Sequence, residues 1–188
     1  RDLHSFPTRR SSDLCRPLSL VVKQGDRIVL DGRNGTGKTS LLKLLLGQDI
    51  PHRGTLTAGS GVVISYVPQD TSWLTGSLTD FAAENQLDES LFKAILRKMD
   101  FSRVQFEKNM EDYSAGQKKK VLLAKSLCQR AHLYVWDEPL NYIDVYSRMQ
   151  IEALIQEFCP TMLLVEHDLA FQNAVTTQTV SISGPDAS

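Results

Sequence analysis

The stretch Gly32-Arg33-Asn34-Gly35-Thr36-Gly37-Lys38-Thr39-Ser40 carries the spacing G-x-x-x-x-G-K-T. That is the pattern of a loop built to hold phosphate. Gly32, Gly35 and Gly37 allow a tight turn that brings main-chain N–H groups onto an anion, with Asn34 and Ser40 inside the same cradle. An apolar run, Ile28-Val29-Leu30, precedes the loop, and Leu41, Leu42, Leu44 and Leu45 follow it at helical spacing. Strand, glycine loop and helix is the context such a loop needs, because the helix points its positive end at the same anion. In this reading Lys38 reaches the β- and γ-phosphates of a nucleotide and Thr39 holds Mg²⁺.

Two later stretches add to this chemistry. Leu133-Tyr134-Val135-Trp136 is a buried-type strand that runs into Asp137-Glu138. A strand end places both acids at the carboxyl edge of a sheet, where the glycine loop also sits. Asp137 can then bind Mg²⁺, directly or through water, and Glu138 can polarise a water for attack on the γ-phosphate. An acidic pair after a strand is by itself ordinary surface charge; the glycine loop is what gives this one meaning. Tyr113-Ser114-Ala115-Gly116-Gln117 opens a helix, with Ser114 a natural N-cap. A hydroxyl, small residues and a helix N-terminus also make a second phosphate site, formed by Ser114, Gly116 and Gln117.

The elements that must position these groups follow from periodicity. Strands are expected at Leu18–Val22, Arg27–Leu30, Val62–Val67, Leu133–Trp136, Thr161–Val165 and Thr179–Ser183, with a short one near Leu56. Helices are expected from Gly37 to about Gly47, across Ala115–Arg130 and Ser147–Phe158, and as a short segment before the last strand. From Ser77 to Met110 the apolar residues recur at helical spacing, which reads as a small helical insertion. Strands alternating with helices imply an α/β domain around a mainly parallel sheet.

The motifs together resemble the ATP-binding cassette (ABC) ATPases. Tyr113–Gln117 is similar to that family's signature motif, usually Leu-Ser-Gly-Gly-Gln, from which Tyr113 and Ala115 depart. The resemblance makes Gln69 the Q-loop residue, a Mg²⁺ contact, and Asn141 and Asp144 part of the D-loop. It makes His167 the switch histidine that senses the γ-phosphate, beside Glu138 in catalysis. It implies a P-loop NTPase of ABC type, with a mainly parallel core, antiparallel β strands at the N-terminus and a helical subdomain over about 77–130. Asp137-Glu138-Pro139-Leu140-Asn141-Tyr142-Ile143-Asp144 and Ser114-Ala115-Gly116-Gln117-Lys118-Lys119-Lys120 resemble the ABC-F branch, translation factors that include ribosomal protection proteins conferring antibiotic resistance. The short interval from Gln69 to Ser114 is similar to a second cassette. The resemblance also implies ATP and Mg²⁺ as ligands, and a second cassette as partner, since ABC sites are composite and one copy of each motif closes no site alone. A ribosome or rRNA contact would come through regions outside this sequence. The isolated chain is then expected to be weak or inactive as an ATPase. Two alternatives stay open: the ATPase subunit of a membrane transporter, and a nucleotide-binding module without turnover of its own.

Composition narrows the classes further. The 188 residues are 41% hydrophobic and 23% charged, ordinary for one globular domain. A net charge of −1 gives no global field for nucleic acid or membrane. The basic runs Arg9-Arg10 and Lys118-Lys119-Lys120 read as solvated surface, and Trp73, Tyr113 and Trp136 as packing residues. Cys15, Cys128 and Cys159 have no metal-ligand spacing, which suggests free thiols in a reducing, cytoplasmic setting. No apolar stretch approaches the ~20 residues of a membrane-spanning helix. Residues 4–14 resemble, residue for residue, the in-frame translation of a DNA-sequencing adapter. Residues 1–14 are therefore set apart as an artefactual tail, a natural polar tail being the alternative, and the nucleotide-binding domain is taken as 15–188. The nearest aromatic upstream of the glycine loop, Phe6, falls in that tail and is not assigned to the base.

Overall fold

The computed structural model describes residues 18–183. The tail 1–14 and Cys15 lie outside the described residues. Five strands, β1 (Arg27–Asp31), β2 (Ile64–Val67), β3 (Leu133–Asp137), β4 (Met162–Val165) and β5 (Gln178–Ser181), form one sheet in the order β2-β3-β4-β1-β5. Every pairing is parallel. The helices are α1 (Lys38–Leu45), α2 (Leu78–Glu84), α3 (Glu89–Lys98), α4 (Arg103–Phe106), α5 (Ala115–Cys128), α6 (Val145–Phe158) and α7 (Leu169–Val175), with a 3-10 turn at Met110–Asp112.

Alternation along the strands divides the core into two layers. Val29, Trp136, Met162 and Leu164 face one way, into a cluster with Leu122 and Leu123 of α5, Ile151 of α6 and Phe92 of α3. Ile28, Leu30, Val135, Leu163 and Val165 face the other way, onto Leu42 of α1. The strands therefore read as nearly continuous apolar runs, as a parallel sheet covered on both faces requires.

Local chemistry sets the helix limits. Ser77, Asp88, Ser114, Asp144 and Asp168 cap five helix N-termini by accepting a bond from the main chain three residues on. Gly47, at φ 78°, ends α1: its N–H donates to the Leu44 carbonyl and that of Gln48 to Lys43.

Several expectations are corrected. The antiparallel strands expected toward the N-terminus form no ladder among the described residues. Leu18–Val22 and the chain around Leu56 have no strand partner. Leu18, Leu20 and Val22 still pack against the second apolar cluster, so the alternation reflects a buried side-chain face and not main-chain pairing. Trp73 is 51% exposed and not a packing residue, its indole N–H donating to the Asp70 carbonyl. Tyr113 and Trp136 are buried as expected.

The lysine run is not solvated either. Lys119 is 1% and Lys120 8% exposed. Lys120 Nζ donates to the Met99 carbonyl at 2.8 Å and pairs with Asp144 Oδ2 at 2.6 Å, joining α5 to the start of α6. Partial desolvation raises the Asp144 carboxyl, but hydrogen bonds from Lys120 and Ser147 outweigh it and bring the group down to about 2. A depressed carboxyl stabilises the fold above its unfolded value of about 3.9, and this contribution is lost as pH falls through about 2. The urea midpoint is therefore expected to drop between about pH 4 and pH 2. Asp144→Asn, which keeps the helix cap, should flatten that limb; an unchanged acid limb would contradict the assignment.

Candidate functional site

A parallel sheet sends all its carboxyl ends to one edge, and β4 lies between β3 and β1 in the order. The glycine loop leaves β1, Gln69 follows β2, Glu138 follows β3, and Glu166-His167 follow β4. Residues far apart in sequence thus reach one edge.

The glycine loop is shaped by its neighbours. A methyl group on Gly32 would lie 2.5 Å from the Ile182 carbonyl oxygen and 3.0 Å from Thr36 Oγ1, so only glycine fits there. Gly37, at φ 93°, sits at the N-terminus of α1. Thr36 Oγ1 donates to the Arg33 carbonyl at 2.9 Å. Lys38 is buried, its Nζ donating to the carbonyls of Gly32 (2.5 Å) and Arg33 (3.0 Å), which holds the ammonium inside the loop. Asn34 and Gly35 are exposed at the tip, while Thr39 and Ser40 open α1. Asp31, Gly32, Arg33, Asn34 and His167 line one open cleft.

Asp137 is 1% exposed, and neither carboxylate oxygen has a hydrogen-bond partner. Burial pushes the group above the ordinary carboxylate range; the Thr39 hydroxyl opposes this most, with Lys119 and Lys38 adding to it against the charge of Glu138. An orphaned buried carboxylate beside a hydroxyl fits a bound cation. Among the described residues no group of three or more His, Cys, Asp or Glu side chains forms a metal cluster. Asp137 and Thr39 offer a carboxylate and a hydroxyl, oxygen donors of the kind Mg²⁺ takes alongside waters and phosphate oxygens.

Glu138 is the meeting point. Its φ is 49°, unusual for a side chain of this size, and its N–H donates to the Val165 carbonyl at 2.8 Å. Its Oε2 accepts from the Gln69 amide (2.7 Å) and the Asn141 amide (2.6 Å), and Oε1 lies 3.9 Å from His167 Nε2. Gln69, Glu138, Asn141 and His167 are thus brought together.

Ser114 and Gln117 are arranged differently. They form a reciprocal capping box: Ser114 Oγ accepts from the Gln117 N–H at 3.2 Å, and Gln117 Oε1 accepts from the Ser114 N–H at 2.9 Å. Among the described residues no hydrogen bond joins them to the glycine loop. Gly116 packs against the D-loop, where a methyl would run into the Tyr142 carbonyl. Ala115 has no positive φ, so its departure from glycine is free of strain. Tyr113, in place of the usual leucine, is buried edge-on against Phe101 and donates to the Gln105 carbonyl at 2.5 Å.

Sequence reasoning missed two groups. Glu166 accepts from the N–H groups of Leu140, His167 and Asp168, and Lys119 donates to the carbonyls of Pro68 and Gln69. The only sequence signals were an acid directly before His167 and a lysine inside a basic run.

A profile of the ABC transporter family matches residues 15–141. The chain is 31% identical over 175 residues to ATP-binding protein Uup of Caulobacter vibrioides, covering 88% of this chain and 29% of Uup. It is 27% identical to the ribosome protection protein VmlR of Bacillus subtilis, covering 90% of this chain and 31% of VmlR. It is also 27% identical to the zinc import ATP-binding protein ZnuC of Acinetobacter baylyi, covering 93% of this chain and 70% of ZnuC. The chain thus spans about a third or less of the length of Uup and VmlR. The fold superposes, at TM-score 0.72 and 25% identity, on a chain from the complex of archaeal ribosomal stalk protein aP1 with the archaeal ribosome recycling factor aABCE1, covering 87% of this chain and 33% of that one.

Gly32→Ala should weaken fluorescent ATP-analogue binding by on the order of tenfold or more, since the obstructing atom is main chain and cannot swing aside. Gly59→Ala, which meets only the Val62 side chain at 3.5 Å, serves as the control. Equal affinities in the two variants would contradict the assignment of the loop.

Proposed function

This chain belongs to the ABC transporter family of ATPase domains, and from that premise we propose that it is a cassette of ABC-F type that binds and hydrolyses ATP to act on the ribosome. The observation that carries the ATPase reading is the Glu138 carboxylate, held by Gln69 and Asn141 with His167 beside it, next to the orphaned Asp137. The D-loop spelling Pro139-Leu140-Asn141-Tyr142-Ile143-Asp144 and the likeness to VmlR support the branch.

In this proposal the glycine loop residues Gly32, Asn34, Gly35, Gly37, Lys38, Thr39 and Ser40 bind the phosphates. Thr39, Gln69 and Asp137 hold Mg²⁺, which supplies charge neutralisation at the phosphate oxygens. Glu138 accepts a proton from the attacking water, and His167, exposed at the cleft, contacts the γ-phosphate. Ser114, Gly116 and Gln117 present a helix N-terminus to the nucleotide of a second cassette, consistent with their separation from the loop of their own chain. The helices from α2 to α5 act as the helical subdomain of a domain running from residue 15. The cassette works in the cytoplasm, and ribosomal protection with antibiotic resistance is its proposed role.

A second reading is favoured by one observation: the chain covers 70% of ZnuC, a transporter ATP-binding protein. No helix among the described residues is long and apolar enough to cross a membrane, so such a role needs a partner with membrane spans.

The test uses the full-length protein with Glu138→Gln, which should retain ATP without hydrolysing it. ATP-dependent co-sedimentation with ribosomes is expected. Its absence, with a membrane-spanning partner co-purifying, would replace the ribosomal reading by the transporter one. Hydrolysis by the isolated 188-residue chain would rule out a binding-only module.

A further inference from the structure

Behind Glu138 lie two buried ions of opposite sign. Lys119, on α5, is the fifth residue after Ser114. Its Nζ donates to the Pro68 carbonyl at 2.8 Å and the Gln69 carbonyl at 3.2 Å. These are the peptides from which the Gln69 side chain leaves toward Glu138. Glu166 directly follows β4 and is buried. Its Oε1 accepts from the N–H groups of His167 (2.7 Å) and Asp168 (3.1 Å), and its Oε2 from that of Leu140 at 3.2 Å. One carboxylate thus ties the turn that aims His167 to the turn that carries Asn141.

Both side chains spend their hydrogen bonds on loop main chain, and neither bonds a side chain assigned above to phosphate or cation. Burial lowers the Lys119 ammonium from the usual lysine range, and Asp137, Glu138, Glu166 and Asp70 oppose that effect. A desolvated cation is a costly way to fill core volume. An apolar side chain would fill the same space but would leave the Pro68 and Gln69 carbonyls without this donor.

We propose that Lys119 and Glu166 are positioning residues for ATP hydrolysis, fixing the loops after β2, β3 and β4 so that Gln69, Asn141 and His167 converge on Glu138. The inference rests on the reading of Glu138 as the group that polarises water. Side chains at a reacting centre must be held to within about 0.5 Å, and loops achieve this only when their main chain is tied down. Lys119 ties the loop after β2, while Glu166 ties the other two together.

The experiment measures steady-state hydrolysis and ATP-analogue affinity of the full-length protein carrying Lys119→Met, Lys119→Arg or Glu166→Gln. The glutamine keeps one oxygen for His167 and Asp168 but turns an amide N–H₂ toward the Leu140 donor. For Lys119→Met and Glu166→Gln, kcat is expected to fall by on the order of tenfold or more while Kd changes by less than about threefold; Lys119→Arg should recover part of the rate. Wild-type kcat in both variants overturns the proposal. So does a parallel loss of affinity, rate and Tm, the mark of a packing role alone. If Lys119→Met does not fold, Glu166→Gln decides by the same criteria. Glu138→Gln in the same assay separates the two readings. If it hydrolyses normally, the assignment of Glu138 has failed; if it is inactive while the other variants are normal, only the positioning role has.

Discussion

Parallel pairing of β3, β4 and β1 is the constraint on which the site depends. In the register Asp137↔Val165 and Ile28↔Leu163, three strands end at one edge, and each hands its next residues to a loop with chemistry in it. Antiparallel pairing of any one of them would carry its loop to the opposite edge. The pairing is held by strand residues that are almost all buried: Ile28, Val29, Leu30, Val135, Trp136 and Met162 to Val165. Each such side chain contributes about 1.5–3 kcal/mol by leaving water. The apolar character of these strands and the convergence of the site thus have one physical origin.

At that edge the chain adopts a conformation it would otherwise avoid. A left-handed glutamate costs on the order of 1–3 kcal/mol and persists only where its surroundings over-determine it. Glu138 is held on three sides: its N–H by Val165, and its carboxylate by Gln69 and Asn141. The left-handed turn directs the main chain away from β3 toward Asn141 while leaving the carboxylate within reach of Gln69. Removing either amide would leave the strain with less to balance it.

Local features were legible in the sequence. The glycine loop, the Ser114 cap and the end of α1 at Gly47 depend on neighbours within a few residues, and they stand where spacing places them. Burial that depends on distant chain was not. Lys118-Lys119-Lys120 looks like a solvated face because nothing in its own helix shows that the loop after β2 and the Met99 carbonyl lie over two of the three. Trp73 looks like core because its size suggests it, yet it sits on an exposed turn. Leu18–Val22 has strand alternation and a buried face, but pairing needs a partner strand that no local pattern specifies. Glu166 carries no motif; its worth lies in three N–H groups that only the folded turns bring together.

The contact between Gly116 and the main chain of Tyr142 bears on how this sequence can change. The obstructing atom is a carbonyl oxygen, which every residue at 142 would carry. A larger residue at 116 therefore has no compensating substitution at 142, in contrast to a clash between two side chains. Relief would require the whole turn from Asn141 to Asp144 to move, together with the bonds that fasten it to Glu138 and Lys120. For a search for suppressors, position 116 is a dead end, whereas the neighbouring Ala115 is exposed at the start of α5.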